Sequence, residues 1–222
     1  ITGQGMHHRA QLIWNTWGRY AASDRMVFLS DNYNSSFTLP LLKVVNISHT
    51  MPNAQKYRLS QLKWLQGIIV SSTFRSFDWL VFIDDDTFII HHALVKLLSE
   101  YDPEQSLLIG KAGEPTCHTV CGGAGFAISK SLANYLNGKY RDFFSVYFHD
   151  LVYNSSDSYF SDVIISRFII DNKVGTIVPR PEFKNFPPQV SMRWYQMHKR
   201  TPSEVVSFHR LDNVEYLKLY KR

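Results

Sequence analysis

The sequence predicts an α/β domain with a largely parallel central sheet flanked by helices. Two features carry that expectation. Short apolar runs alternate along the chain with longer segments whose apolar residues recur at helical spacing. The clearest of the apolar runs, Trp79 to Ile83, stops at once in Asp84-Asp85-Asp86. A buried strand that delivers polar side chains to the edge of a sheet has that form.

The elements follow in order. Arg9 to Tyr20 carries Leu12, Ile13, Thr16 and Trp17 at helical spacing. Met26 to Leu29 and Leu42 to Ile47 read as buried strands, the first ending in Ser30-Asp31. Gln55 to Thr73 reads as a helix with Leu59, Leu62, Leu65 and Ile69 on one stripe. After the strand 79–83 and its aspartates comes a helix from His91 to Tyr101, with Leu94, Leu97 and Leu98 inward. Ser106 to Ile109 is a further strand. Gly122-Gly123-Ala124-Gly125 interrupts the chain before a strand, Phe126 to Ile128, and a helix from Ser129. Phe160 to Asp171 reads as a helix, and Gly175 to Val178 and Val205 to Phe208 as late strands. No internal repeat or low-complexity linker divides the chain, so 1–222 reads as one domain.

Bulk properties narrow the function classes. At 222 residues the chain is long enough for one α/β core. No apolar run approaches the roughly 20 residues that a membrane helix needs. The opening residues, Ile1 to His8, look internal to a longer protein, so a segment upstream of residue 1 is expected, a membrane anchor being one candidate for it. The charge of +5 suits an anionic small molecule, but Lys and Arg are scattered, so no nucleic-acid partner is expected. Two cysteines, Cys117 and Cys121, are too few for a disulfide framework or a zinc site of four thiolates; a local disulfide and two buried thiols both remain open. Three glycosylation sequons, at Asn34, Asn46 and Asn154, favour a secretory lumen.

The triple aspartate is the leading chemical feature. In an extended backbone Asp84 and Asp86 point to one side and Asp85 to the other. Two carboxylates on one side repel unless a cation lies between them. Mn²⁺ or Mg²⁺ takes such oxygens together with substrate phosphates, and neutralises charge that develops on a leaving diphosphate. The plainer reading is that Asp86 or Thr87 caps the next helix. His209 ends the apolar run 205–208, and imidazole suits Mn²⁺ as a third ligand. The glycines at 122–125 fit neither a dinucleotide fingerprint nor a P-loop. Bare backbone there would admit a sugar or a diphosphate, or simply form a turn. Asp162 opens an apolar helix, either as a carboxylate stabilised by the helix dipole or as a general base.

Taken together these landmarks resemble the β-1,3-glycosyltransferase family that contains the Fringe proteins and core 1 galactosyltransferase. The resemblance runs from about Arg9 to about His209. Its motifs are Arg9 with Thr16-Trp17, Phe28-Leu29-Ser30-Asp31, Asp78-Trp79 through Asp86, Gly122-Gly123-Ala124-Gly125-Phe126, and the acidic helix start at Asp162. Ser207-Phe208-His209 and Arg193-Trp194-Tyr195 are similar to the core 1 branch. Fringe carries histidines near 183–186, where this sequence has Phe183-Lys184-Asn185-Phe186.

The resemblance implies a GT-A fold and inverting transfer of a hexose from a UDP-sugar to a glycan or glycoprotein acceptor. The nucleotide-binding part would span about 1–110 and the acceptor part about 111–222. It implies Asp84, Asp86 and His209 as ligands of Mn²⁺ or Mg²⁺. Arg9, Asp31, Asp84, Asp85, Gly123 and Gly125 would meet the donor, Asp162 would be the base, and Trp194 and Tyr195 would meet the acceptor. The implied location is the Golgi or ER lumen, as a type II membrane protein, with a secreted or cytoplasmic protein as the alternative. Two competing functions remain from the residues: a metal-dependent phosphohydrolase with Asp84 as nucleophile, and a non-catalytic sugar-binding module.

Overall fold

Strand side chains alternate between the two faces of a sheet, so a strand with apolar residues at every position needs cover on both sides. Such strands build the centre of this protein. A computed structural model of the chain describes residues 7–20, 26–30, 42–44, 63–64, 67–68, 76–112, 119–139, 161–197 and 204–212. The side chains of 7, 42–44, 161, 192, 194 and 195 are excepted.

The main sheet holds β3 (Trp79–Phe82), β6 (Phe126–Ser129), β5 (Leu107–Gly110) and β7 (Thr176–Pro179), side by side in that order. Phe82, Leu108, Phe126 and Ile128 point into one apolar cluster, and Ile109 and Ala127 into the other. The first cluster is closed by α3 (Lys130–Gly138) through Leu132 and Leu136, and by α4 (Ser161–Asn172) through Ile164, Ile165, Phe168 and Ile169. Trp64 stacks on Phe126 there, with ring centroids 5.0 Å apart. The second cluster is closed by α1 (His7–Asn15) through Ala10 and Ile13, and by α2 (His91–Leu98) through Leu94 and Leu97.

The α/β class is as the sequence predicts, but the sheet is mixed rather than largely parallel. β6 runs antiparallel to both β3 and β5, and β5–β7 is the parallel pair of this sheet. The reason is local. The chain leaves β5, turns through the glycine segment at the same sheet edge, and re-enters beside β5 in the opposite sense, with Gly110 opposite Phe126. β1 (Phe28–Ser30) and β2 (Leu42–Val44) form a separate parallel pair among the described residues. A third sheet joins β4 (Phe88–Ile89), β9 (Ser207–Phe208) and β8 (Phe183–Lys184).

Boundaries shift for identifiable reasons. The helix expected over 9–20 ends at Asn15 and continues as a 3₁₀ turn over Trp17–Tyr20. Gly18 sits where an added Cβ would lie 2.8 Å from the carbonyl oxygen of Ile13. Ser129 marks the start of α3: its hydroxyl accepts from the N–H of Leu132 at 3.3 Å and from that of Leu107 at 3.0 Å. Of the helix expected over 55–73, the described residues at 63–64 and 67–68 are helical. The strands at 88–89 and 183–184 and the helix α5 (Pro188–Met197) were not expected. The two strands are two residues long, too short for alternation to show. Asp31, Cys117 and the three sequons lie outside the described residues.

Candidate functional site

Four segments meet at one edge of the main sheet: the residues after β3, the glycine turn before β6, the first turn of α4, and the end of β9. Antiparallel pairing of Phe82 with Phe126 places the exit of β3 beside the entry to β6. The first two segments are therefore neighbours by register, although some 40 residues separate them.

After β3 the backbone does not stay extended. Residues 85 and 86 form a turn, closed by the N–H of Thr87 donating to the carbonyl of Asp84 at 3.2 Å. The grouping expected for an extended strand arises all the same. Asp84 and Asp86 face His209, with one ligand atom of each within 4.8 Å of the others. Asp85 turns away to Arg9, whose Nη1 lies 3.3 Å from Asp85 Oδ1 and 3.8 Å from Asp86 Oδ2. Helix capping does not explain the aspartates. The cap position of α2 is Ile90, with no side-chain hydrogen bond. Thr87 is instead fully buried and donates to the carbonyl of Gly123 at 2.7 Å.

His209 follows β9 and is pinned through its backbone. Its N–H donates to the carbonyl of Lys184 at 3.0 Å, and the N–H of Leu211 donates to the carbonyl of Asp86 at 3.1 Å. The ring is 14% exposed, with Nε2 3.1 Å from Asp86 Oδ1 and Nδ1 2.9 Å from Asn185 Oδ1. Two carboxylate oxygens and one imidazole nitrogen grouped in this way are the kind of donor set that Mn²⁺ takes, with the carboxylates also serving Mg²⁺.

The glycine turn is fitted to these side chains. The N–H of Gly122 donates to Asp162 Oδ2 at 2.5 Å, and a Cβ at 122 would lie 2.9 Å from that oxygen. A Cβ at 123 would lie 2.1 Å from Cε1 of His209. Gly125 has φ +81, a conformation that side chains rarely adopt. The space left by the missing side chains at 122 and 123 is thus taken up by Asp162 and His209. The sequence reading offered a ligand or a simple turn for the glycines; the turn forms, and the two side chains fill its space. The turn is further held by Ser207, whose hydroxyl donates to the carbonyl of Ala124 at 2.5 Å.

Asp162 lies in the first turn of α4, with Oδ1 also accepting from the N–H of Val163 at 3.0 Å. Burial raises its pKa, against the lowering effect of backbone N–H groups of Gly122, Val163 and Asp162 itself. Burial likewise raises Asp84 to about 6, with repulsion from Asp86 adding to it. Asp86 is held below the usual carboxylate range. Burial works against that, and the hydrogen bond and charge of His209 outweigh it, with Arg9 adding to the effect.

Among the predicted site residues, Asp84, Asp85, Asp86, Arg9, Gly123, Asp162 and His209 therefore converge. Gly125 shapes the turn. Trp194 and Tyr195 lie on α5, with only their backbone described, and Asp31 lies outside the described residues. Sequence reading missed Asn185, Ser207 and the buried bond of Thr87. Ser207 carried a signal, because alternation puts it on the same face of its strand as His209. Cys121, which precedes the glycine turn, is disulfide-bonded; the chain's other cysteine is Cys117. The family model described as Fringe-like matches residues 2–215.

Proposed function

The chain belongs to the Fringe-like family, whose function is of the β-1,3-glycosyltransferase type, and from that premise we propose an inverting, metal-dependent transferase acting on a UDP-sugar. It moves a hexose to a hydroxyl of a glycan or glycoprotein. The single observation that supports this most is the convergence of Asp84, Asp86 and His209 within one cation's reach, at the sheet edge that also carries Asp162.

Asp84, Asp86 and His209 would hold Mn²⁺ or Mg²⁺. The cation supplies neutralisation of the charge that builds on the departing diphosphate. The chain's own residues do the rest. Asp162 removes the proton from the acceptor hydroxyl, and the oxygen attacks C1 of the donor from the face opposite UDP. The C1–O bond to the diphosphate breaks as the new bond forms. Asp162 suits a base because burial raises its proton affinity while Gly122 fixes its direction. Arg9 neutralises Asp85 and reaches Asp86, which limits negative charge where the diphosphate must approach. Asp31, Asp84, Asp85 and the turn at Gly123 and Gly125 are assigned to the donor, and Trp194 and Tyr195 to the acceptor.

We assign a GT-A arrangement to 1–222 as one domain, with the donor served mainly by about 1–110 and the acceptor by about 111–222. A Golgi or ER lumenal location, with an anchor outside this chain, accompanies the assignment. Calorimetry with UDP and Mn²⁺ tests the central claim. Binding that requires the metal and disappears in Asp86→Ala supports it; metal-independent binding, or none, sinks it. The phosphohydrolase reading predicts a beryllofluoride adduct on Asp84, and no observation of the site favours it.

A further inference from the structure

We infer that Asn185 is a positioning residue that sets the tautomer and ring plane of His209 for the cation, an inference that rests on the metal reading above. The sequence gives this asparagine no motif. The fold brings it to the site: β8 ends at Lys184, pairs in parallel with β9 with Lys184 opposite Phe208, and so sets residue 185 beside residue 209. The two side chains meet at 2.9 Å, between Asn185 Oδ1 and His209 Nδ1.

The chemistry requires a partner of this kind. A neutral imidazole that gives a cation its Nε2 lone pair carries its proton on Nδ1. That N–H needs an acceptor, and the amide oxygen of Asn185 is one. Nε2 is the nitrogen on the carboxylate side, 3.1 Å from Asp86 Oδ1. The ring cannot swing freely to exchange the two nitrogens, because Gly123 closes against it so tightly that a Cβ there would overlap Cε1. Asp86, Gly123 and Asn185 therefore hold the ring from three directions. An amide does this without adding a third negative charge to a site that already has two carboxylates. Partners of this type change metal affinity by about 10–100-fold when removed.

The test compares Mn²⁺ affinity and the imidazole-nitrogen modulation in the electron spin echo of bound Mn²⁺. It is made in the unmodified chain and in Asn185→Leu, Asn185→Asp and Asp86→Ala. The unmodified chain should bind and show the nitrogen signal. Asn185→Leu should bind about 10–100-fold more weakly and lose that signal, whereas Asn185→Asp, which keeps an acceptor oxygen, should retain it. Should Asn185→Leu fail to fold, Asn185→Ala decides by the same two readouts. Unchanged affinity and an unchanged nitrogen signal in the folded Leu or Ala variant overturn the positioning role while leaving the metal site intact. If the unmodified chain shows no nitrogen signal, or Asp86→Ala binds as tightly, the metal site itself fails and this inference with it.

Discussion

Asp162 takes the backbone N–H of Gly122 at 2.5 Å, across 40 residues of sequence. That bond ties the proposed base to the same turn that closes on His209, so the proposed base and the proposed metal ligand share one support. The turn's other bonds, from Thr87 and Ser207, complete that support.

Replacing Asp162 by Asn removes the proton acceptor while keeping the side-chain oxygen that Gly122 needs. The rate constant for transfer should fall by about 10²–10⁴-fold, with UDP and Mn²⁺ binding unchanged by calorimetry. A variant that keeps its rate excludes Asp162 as the base, and a chain with no transferase activity to lose would instead be a binding module.

Alanine at the two glycines should separate the base from the metal. The added methyl in Gly122→Ala falls 2.9 Å from Asp162 Oδ2, so turnover should suffer more than metal affinity. In Gly123→Ala it falls 2.1 Å from the His209 ring, so Mn²⁺ affinity should collapse first. Manganese titration and single-turnover rates, measured on both variants, check the split; identical defects would contradict it.

Acidity should loosen the metal before it harms the fold. Asp84 is raised to about 6, so protons compete for it as pH falls through that value, and Mn²⁺ affinity should drop below about pH 6. In chelated protein the sign for stability is opposite. The folded chain binds Asp84's proton more tightly than the unfolded chain does, so this group's stabilising contribution is present below its ordinary value of 3.8 and is lost as pH rises through about 6. Asp86, held low, acts in a different window: its contribution is present above 3.8 and is lost as the solution becomes more acidic. Urea titrations of chelated Asp84→Asn should show a flatter pH dependence between about 4 and 6 than the unmodified chain.

Thr87→Val keeps shape but leaves the carbonyl of Gly123 without its 2.7 Å donor. An unsatisfied buried acceptor costs about 1–3 kcal/mol, so denaturant unfolding should show a loss of that order. Mn²⁺ affinity should weaken as well, because the turn that packs on His209 is no longer tied to Asp84-Asp85-Asp86. Full stability in this variant would show that the bond contributes nothing.

Much of the site was legible because its chemistry is concentrated in type. Three aspartates after an apolar strand, or four residues of which three are glycine, stand out from ordinary core sequence. What stayed hidden came from pairing between distant segments. Nothing in Lys184-Asn185-Phe186 announces a partner for His209; only the parallel register of two short strands does. The sheet's direction was misjudged for a related reason. Alternating strands and helices suggest parallel crossovers, but β6 re-enters beside β5 in the opposite sense, with Phe126 opposite Gly110. The aspartates were grouped correctly on an incorrect backbone: a turn, not an extended strand, brings Asp84 and Asp86 to face His209.

The place of β6 between β3 and β5 has a bearing on how the protein is made. On the ribosome, the aspartates emerge long before the strand that must slot between their own strand and its neighbour. Until residue 129 has cleared the exit tunnel, β3 and β5 have no ladder to share. A truncated product ending near residue 110 should therefore be a chaperone client, not a miniature donor-binding unit. Co-expressing the two severed halves should restore nucleotide capture only when they assemble before either aggregates.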